Sequence, residues 1–202
     1  MEKKKHKKVI LIVALCILIF TSLVIWRTFF HISSDYRIAA EMAVEFADEI
    51  LDGNLPARAI FPSREYITES IIERLGMPVV DLANTRERYR NISYDLSNPL
   101  GRREHNIYEL FRTLSVDMLF LAKVEFDFVT VNIRGYAEYA AFNDPYQRHL
   151  FMPSEEDIIA DINDINKYRN ELLNTRNQLA ETVGIEQRST FEMLTIEQLV
   201  EW

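Results

Sequence analysis

Residues 9–26 form an unbroken apolar run without a charged side chain, and Lys3, Lys4, Lys5, Lys7 and Lys8 stand directly before it. As a helix, its 18 residues at about 1.5 Å each reach roughly 27 Å, enough to cross a hydrocarbon core of about 30 Å. Five lysines on one side against the single Arg27 on the other satisfy the positive-inside bias. Residues 1–8 are therefore expected to be a cytoplasmic basic tail, 9–26 a transmembrane signal-anchor helix, 27–34 a juxtamembrane linker and 35–202 an extracytoplasmic domain. The topology is single-pass type II in the cell membrane, with the lipid bilayer as first partner. A cleaved signal peptide is the competing reading, but its apolar region covers about 7 to 15 residues and ends in small side chains. Leu23, Val24, Ile25, Trp26, Phe29 and Phe30 are bulky, so the anchor is expected to be retained.

The only cysteine, Cys16, falls inside the apolar run. Neither an intrachain disulfide nor a multi-cysteine metal site is then possible, which excludes the disulfide-stapled secreted mini-domains. Of 31 acidic and 23 basic residues, only Glu2 and the five lysines precede position 9, leaving 30 against 18 and a net charge of −12 beyond it. A surface of that sign argues against nucleic acid as a partner. The remaining length and a hydrophobic content of 48% suit one folded domain with its own core.

Glycines mark the helix ends. Ser34 is the candidate cap of a segment carrying Ala39, Met42, Ala43, Phe46 and Ile50 at three-to-four spacing before Gly53, so a helix is predicted over 35–52. Ser63 opens a second over 64–75, with Ile67, Ile71, Ile72 and Leu75 on one face before Gly76. Pro153, Ser154 and an acidic first turn open a long one that runs to residue 183, ended by Gly184. This last helix has an apolar stripe of Ile158, Ile162, Ile165, Tyr168, Leu172, Leu179 and Val183. Nearly opposite lie Asn163, Asn166, Asn170, Asn174 and Asn177, read as a solvated face, with a hydrogen-bonding stripe for a partner as the alternative.

Residues 107–142 decide the fold and fit two periods. As a helix, Leu110, Leu114, Met118, Leu121, Phe128 and Tyr139 oppose a polar side on which Lys123 with Asp127 and Arg134 with Glu138 form ion pairs. As a strand, Val124, Phe126 and Phe128 alternate with charged residues, continuing after a bulge-like slip. The longer helical window and the matching length of the 154–183 segment favour an antiparallel helical hairpin. The fold is thus expected to be mainly α, a helical bundle behind the membrane helix; the alternative is α+β, with a long bent strand over 111–133 pairing with 136–142, and 91–96 as a further contributor to the sheet.

The order of anchor, helical outer domain, Arg134-Gly135-Tyr136, a turn at Asn143-Asp144-Pro145 and a further amphipathic helix resembles the extracytoplasmic helical-bundle sensor domains of bacterial histidine kinases and chemoreceptors, over residues 107–183. Those receptors continue into a second membrane helix and a cytoplasmic signalling domain. This chain ends at Trp202 with neither, so the resemblance implies a stand-alone outer domain acting through another membrane or envelope protein. Residues 41–75, with Phe46-Ala47-Asp48-Glu49-Ile50-Leu51-Asp52-Gly53-Asn54 and Phe61-Pro62-Ser63, also look like the opening helices of nuclear-transport-factor-like domains. That likeness implies the α+β alternative.

No nucleophile elbow, zinc-protease, phosphate-loop or calcium-loop pattern occurs. His31, His105 and His149 have no ligand spacing, and Asp157, Asp161 and Asp164 read as a solvated acidic flank. No enzyme activity, cofactor or metal is expected. Arg86, Arg88, Arg90, Arg102 and Arg103 concentrate positive charge in an acidic domain, and are the candidate ligand-binding residues for an anion; the alternative is that they neutralise the acidic helices. The turn at 146–152 and the terminal Phe191, Leu194, Leu199 and Trp202 offer apolar side chains either to a partner or to the domain's own core. The expected function is a membrane-anchored sensing or protein-interaction module; the alternative is an accessory subunit of a cell-envelope assembly such as a secretion or conjugation machine.

Overall fold

In a computed structural model, residues 2–57, 82–141 and 154–195 are described, and the chain is mainly helical. The α-helices among them are α1 (Glu2–Phe29), α2 (Ser34–Leu51), α3 (Leu82–Asp95), α4 (Arg102–Ala141) and α5 (Glu155–Val183). The expected helix over 64–75, the apolar turn at 146–152, Leu199 and Trp202 lie outside the described residues.

α1 leaves its apolar side chains uncovered. Every residue from 10 to 30 is exposed, and α1 holds the one described stretch long and apolar enough to cross a membrane. The helical domain has its core elsewhere. α4 and α5 run antiparallel along a seam of Ile107, Phe111, Leu114, Met118 and Leu121 against Ile162, Ile165, Leu172 and Leu179, all buried. Each fully buried aliphatic side chain here stabilises the fold by about 1.5–3 kcal/mol relative to exposure. Cross-contacts set the register: Thr175 Oγ1 donates to Asp117 at 2.5 Å, and Arg169 pairs with Glu125 at 3.6 Å. As the number rises on one helix it falls on the other.

α2 lays Ala39, Ala40, Ala43 and Ala47 against the other helices, flanked by buried Phe46, Ile50 and Leu51. Small side chains on this face let the helix axes approach closely. α3 is largely polar and contributes Ile92, while its Tyr89 ring sits between Phe46 and Phe111, with centroids 6.1 and 6.0 Å away.

The segment that fits two periods is helical from residue 102 to 141, so the strand over 111–133 is corrected. Burial follows the helical period: Phe111, Leu114, Met118, Leu121 and Phe128 are inside, as is Glu125, which an alternating strand would turn outward. The pairing strand over 136–142 is corrected likewise, since α4 runs through residue 141, and residues 91–96, the further candidate, complete α3 and its final turn. α3 carries too few apolar positions to show a helical period in the sequence. α2 begins one residue earlier than predicted, with Ser33 rather than Ser34 at the cap position. α5 matches its prediction, including a reciprocal capping box between Ser154 and Asp157 and Gly184 in the left-handed region at φ 79°. Lys123 and Asp127 form the expected ion pair at 3.0 Å.

Leu172→Ala, at a fully buried seam position, is expected to lower the unfolding free energy by about 3 kcal/mol, read by urea denaturation with circular dichroism. Val116→Ala, on the exposed side of α4, should change it by about 0.5 kcal/mol or less. Equal losses would show that the α4–α5 seam is not the core.

Candidate functional site

The end of α1 is built into the helical domain. Phe30 and His31 both donate backbone N–H groups to Trp26 O, at 2.9 and 3.1 Å, which closes α1 and turns the chain. Ser33 N then donates to Glu104 Oε1 at 2.9 Å, while Leu100 N donates to Oε2 at 2.7 Å. One buried carboxylate thereby ties the start of α2 to the start of α4. Burial pushes the Glu104 carboxyl up, but hydrogen bonds from the backbones of Ser33, Leu100 and Gly101 and from the Ser33 hydroxyl outweigh this and hold it below the ordinary value.

Arg103 and Arg102 complete the joint. Arg103 donates to Phe30 O at 3.2 Å and to Thr182 O at 3.4 Å, placing a cation beside carbonyls at the ends of α1 and α5. The Arg102 guanidinium lies 5.7 Å from the Phe29 ring centre. Gly101 permits the approach, since a Cβ there would lie 3.0 Å from Thr28 O and 3.3 Å from Arg27 O. Nearby, Tyr36 Oη donates to Leu96 O at 2.7 Å; burial, then the Glu104 charge and Tyr108, push its phenol up to about 12. These groups fix the position of the helix ends against one another.

The other three candidate arginines are on α3. Arg88 pairs with Glu49 at 3.0 Å and Glu45 at 3.2 Å and lies over the Phe46 ring, so it neutralises acidic side chains of α2. Arg86 is half-buried and Arg90 exposed on the same helix. The five thus divide between α3, where Arg88 grips α2, and the α1–α4 joint. His105 is an exposed first-turn residue of α4, and Asp157 serves the α5 cap. Burial raises the Asp161 carboxyl, helped by Asp164, Asp157 and Asp127. Among the described residues, no group of three or more histidine, cysteine, aspartate or glutamate side chains is placed to hold a metal ion.

A second constellation joins two asparagines of the face read as solvated to Arg169, Arg176 and Arg188, which no sequence pattern marks. After α5, Gly184 N bonds Glu181 O and Ile185 N bonds Ala180 O, a Schellman turn that sends residues 185–195 back along the helix. Asn177 Nδ2 donates to Arg188 O at 2.7 Å and its Oδ1 accepts from Arg188 N at 2.9 Å. Asn166 repeats the arrangement on Leu194, with both bonds at 2.9 Å. Between them, Arg169 and Arg176 donate to the carbonyls of Glu192 and Glu186, at 2.7 and 2.8 Å. On the other side, Glu192 N donates to Leu51 O of α2, and Arg188 pairs with Asp48 and Asp52. Buried Arg176 holds Asp48 through two bonds, at 3.0 and 2.8 Å. Phe191 and Leu194 pack against the core. The asparagine face was therefore mixed: Asn163, Asn170 and Asn174 are exposed, while Asn166 and Asn177 grip the chain's own backbone.

In comparisons with known proteins, no family model, curated protein or solved structure matches this chain.

Two outcomes test the joint. A carboxylate with a lowered folded pKa contributes stability that is full above its ordinary value of 4.5 and lost as pH falls through the folded value. Glu104→Gln should therefore lower the melting temperature at pH 7, and the gap to the parent protein should narrow as the pH drops below that value. A gap independent of pH would show that the ionised carboxylate is not what holds Ser33 and Leu100. Gly101→Ala should push α1 away from α4, read as faster amide hydrogen exchange at Ser33 and Leu100; unchanged exchange would remove the close-approach requirement.

Proposed function

We propose that the chain is a single-pass membrane protein with residues 1–8 in the cytoplasm and the helical domain outside, working as a sensing or protein-interaction module without catalysis beside another membrane or envelope protein. The observation that carries this reading is the joint. A helix with every apolar side chain from residue 10 to 30 uncovered is separated from α2 by four residues; its last turn lies against Gly101 and Arg102, and the connection that follows is held by Arg103 at Phe30 O and by Glu104 at Ser33 N. Lipid is the environment that covers such a helix without loss. A rigid connection passes a shift or tilt of the domain to the membrane helix, which a freely swinging linker does not. Orientation rests on the five amino-terminal lysines.

An accessory role in a cell-envelope assembly, such as a secretion or conjugation machine, is the second reading. The exposed row of Val116, Leu119 and Phe120 on α4 favours it, because three large apolar side chains within about one turn remain at the surface.

Topology is tested with single cysteines replacing Lys4 or Asn98 in a Cys16→Ser background. A membrane-impermeant maleimide is expected to label position 98 on intact cells and position 4 only after permeabilisation. The opposite pattern would overturn the orientation, and release of the protein by alkaline carbonate would overturn the anchor.

A further inference from the structure

We infer that the groove between α2 and α5 is a binding site for a stretched, arginine-bearing segment of a partner protein, which residues 185–195 occupy in cis as a displaceable stand-in. The inference rests on the interaction-module reading above and names the partner that the module takes.

The groove recognises its occupant through features that any extended peptide possesses. An asparagine amide presents one donor edge and one acceptor in the plane of a peptide unit, so Asn166 and Asn177 each satisfy both backbone groups of one residue whatever its side chain. Arg169 and Arg176 add donors to two further carbonyls. The clamps are 11 positions apart on α5, about 16 Å at helical rise. The six steps from Arg188 to Leu194 reach at most about 22 Å when fully stretched. The spacing of the holders therefore fits an extended occupant and not a helical one, whose six steps would span only about 9 Å, with Leu51 O of α2 accepting from the far side.

Selectivity comes from charge. Without Arg188 of the strap formed by residues 185–195, the groove retains Asp48 and Asp52 against Arg176, with Arg169 already paired to Glu125; one negative charge is in excess, and Arg188 supplies the matching cation. A fork-shaped guanidinium meets two carboxylates at once, as a lysine ammonium does less well. Apolar side chains three and six positions further on, here Phe191 and Leu194, rest on the core beside the clamps.

The strap is suited to leave. Its tether is Gly184, whose left-handed backbone has open space around it, and no residue of the strap itself is fully buried. A tethered strap competes at an effective concentration on the order of millimolar. A partner segment displaces it when it matches more of the groove or is presented by a neighbour in the same bilayer.

The test uses the full chain in nanodiscs and a fluorescent peptide with the sequence of residues 184–195. The Arg188→Ala/Phe191→Ala chain, whose own strap is weakened, is expected to bind the peptide saturably and about tenfold more tightly than the parent chain, which keeps its strap. A peptide with arginine replaced by alanine should bind that host about tenfold more weakly, as should the parent peptide when the host also carries Asp52→Asn. The peptide variant leaves the protein unaltered, so its loss does not report misfolding. Absence of saturable binding to a host with intact helical circular dichroism would overturn the inference, as would equal binding of the two peptides. A parent chain that sediments as a dimer, and that the peptide merely dissociates, would overturn the foreign-partner assignment in favour of strap exchange between copies. None of these readouts depends on topology, so failure here and failure of the membrane reading are separable.

Discussion

The antiparallel seam between α4 and α5 is the interaction on which the rest of the domain depends. α2 packs on α5 and touches α4, α3 rests on α2, and the strap lies along the groove that α2 and α5 form. Remove the seam and no second layer has a surface to bury against. Its strength is non-directional apolar burial, which by itself tolerates a helix sliding by one turn. Register is fixed by polar contacts inside it, Thr175 with Asp117 and Arg169 with Glu125, because misalignment would strand buried charge.

The same logic explains why the joint is polar. Where α1 ends and α2 begins, backbone N–H and carbonyl groups lose their helical partners. Ser33 N and Leu100 N converge on Glu104, and Phe30 O and Thr182 O on Arg103. One acid and one base thus resolve the loose ends of four helix termini, and the result is a hydrogen-bonded connection between the uncovered helix and the packed domain. The strap is resolved differently: its backbone, which belongs to no helix or sheet, is satisfied by side-chain amides and guanidiniums of α5.

Several features were legible in the sequence because local chemistry sets them. A charge-free run of 18 residues must be an apolar helix; Gly53 and Gly184 end helices because only glycine adopts their backbone without strain; Ser154 and Asp157 cap whatever follows them. α3 is not legible in the sequence, since Ile92 and Tyr89 are too few to mark a period, and its helix is supported by α2 through Arg88 and the Phe46–Tyr89 contact. Asn166 and Asn177 were visible as part of an unusual face, yet nothing local distinguishes them from exposed Asn170 and Asn174.

The sequence by itself determined the membrane-compatible helix, the ends of α2 and α5 and the apolar stripes that had to be covered, since each follows from residues within a turn or two of one another. Only the tertiary structure decided that 107–141 is helix rather than strand, that Arg102 and Arg103 face the end of α1, and that two asparagines hold residues 185–195. Those outcomes depend on partners between 11 and 79 positions away in the chain, and a linear pattern does not encode which distant surface a side chain will meet.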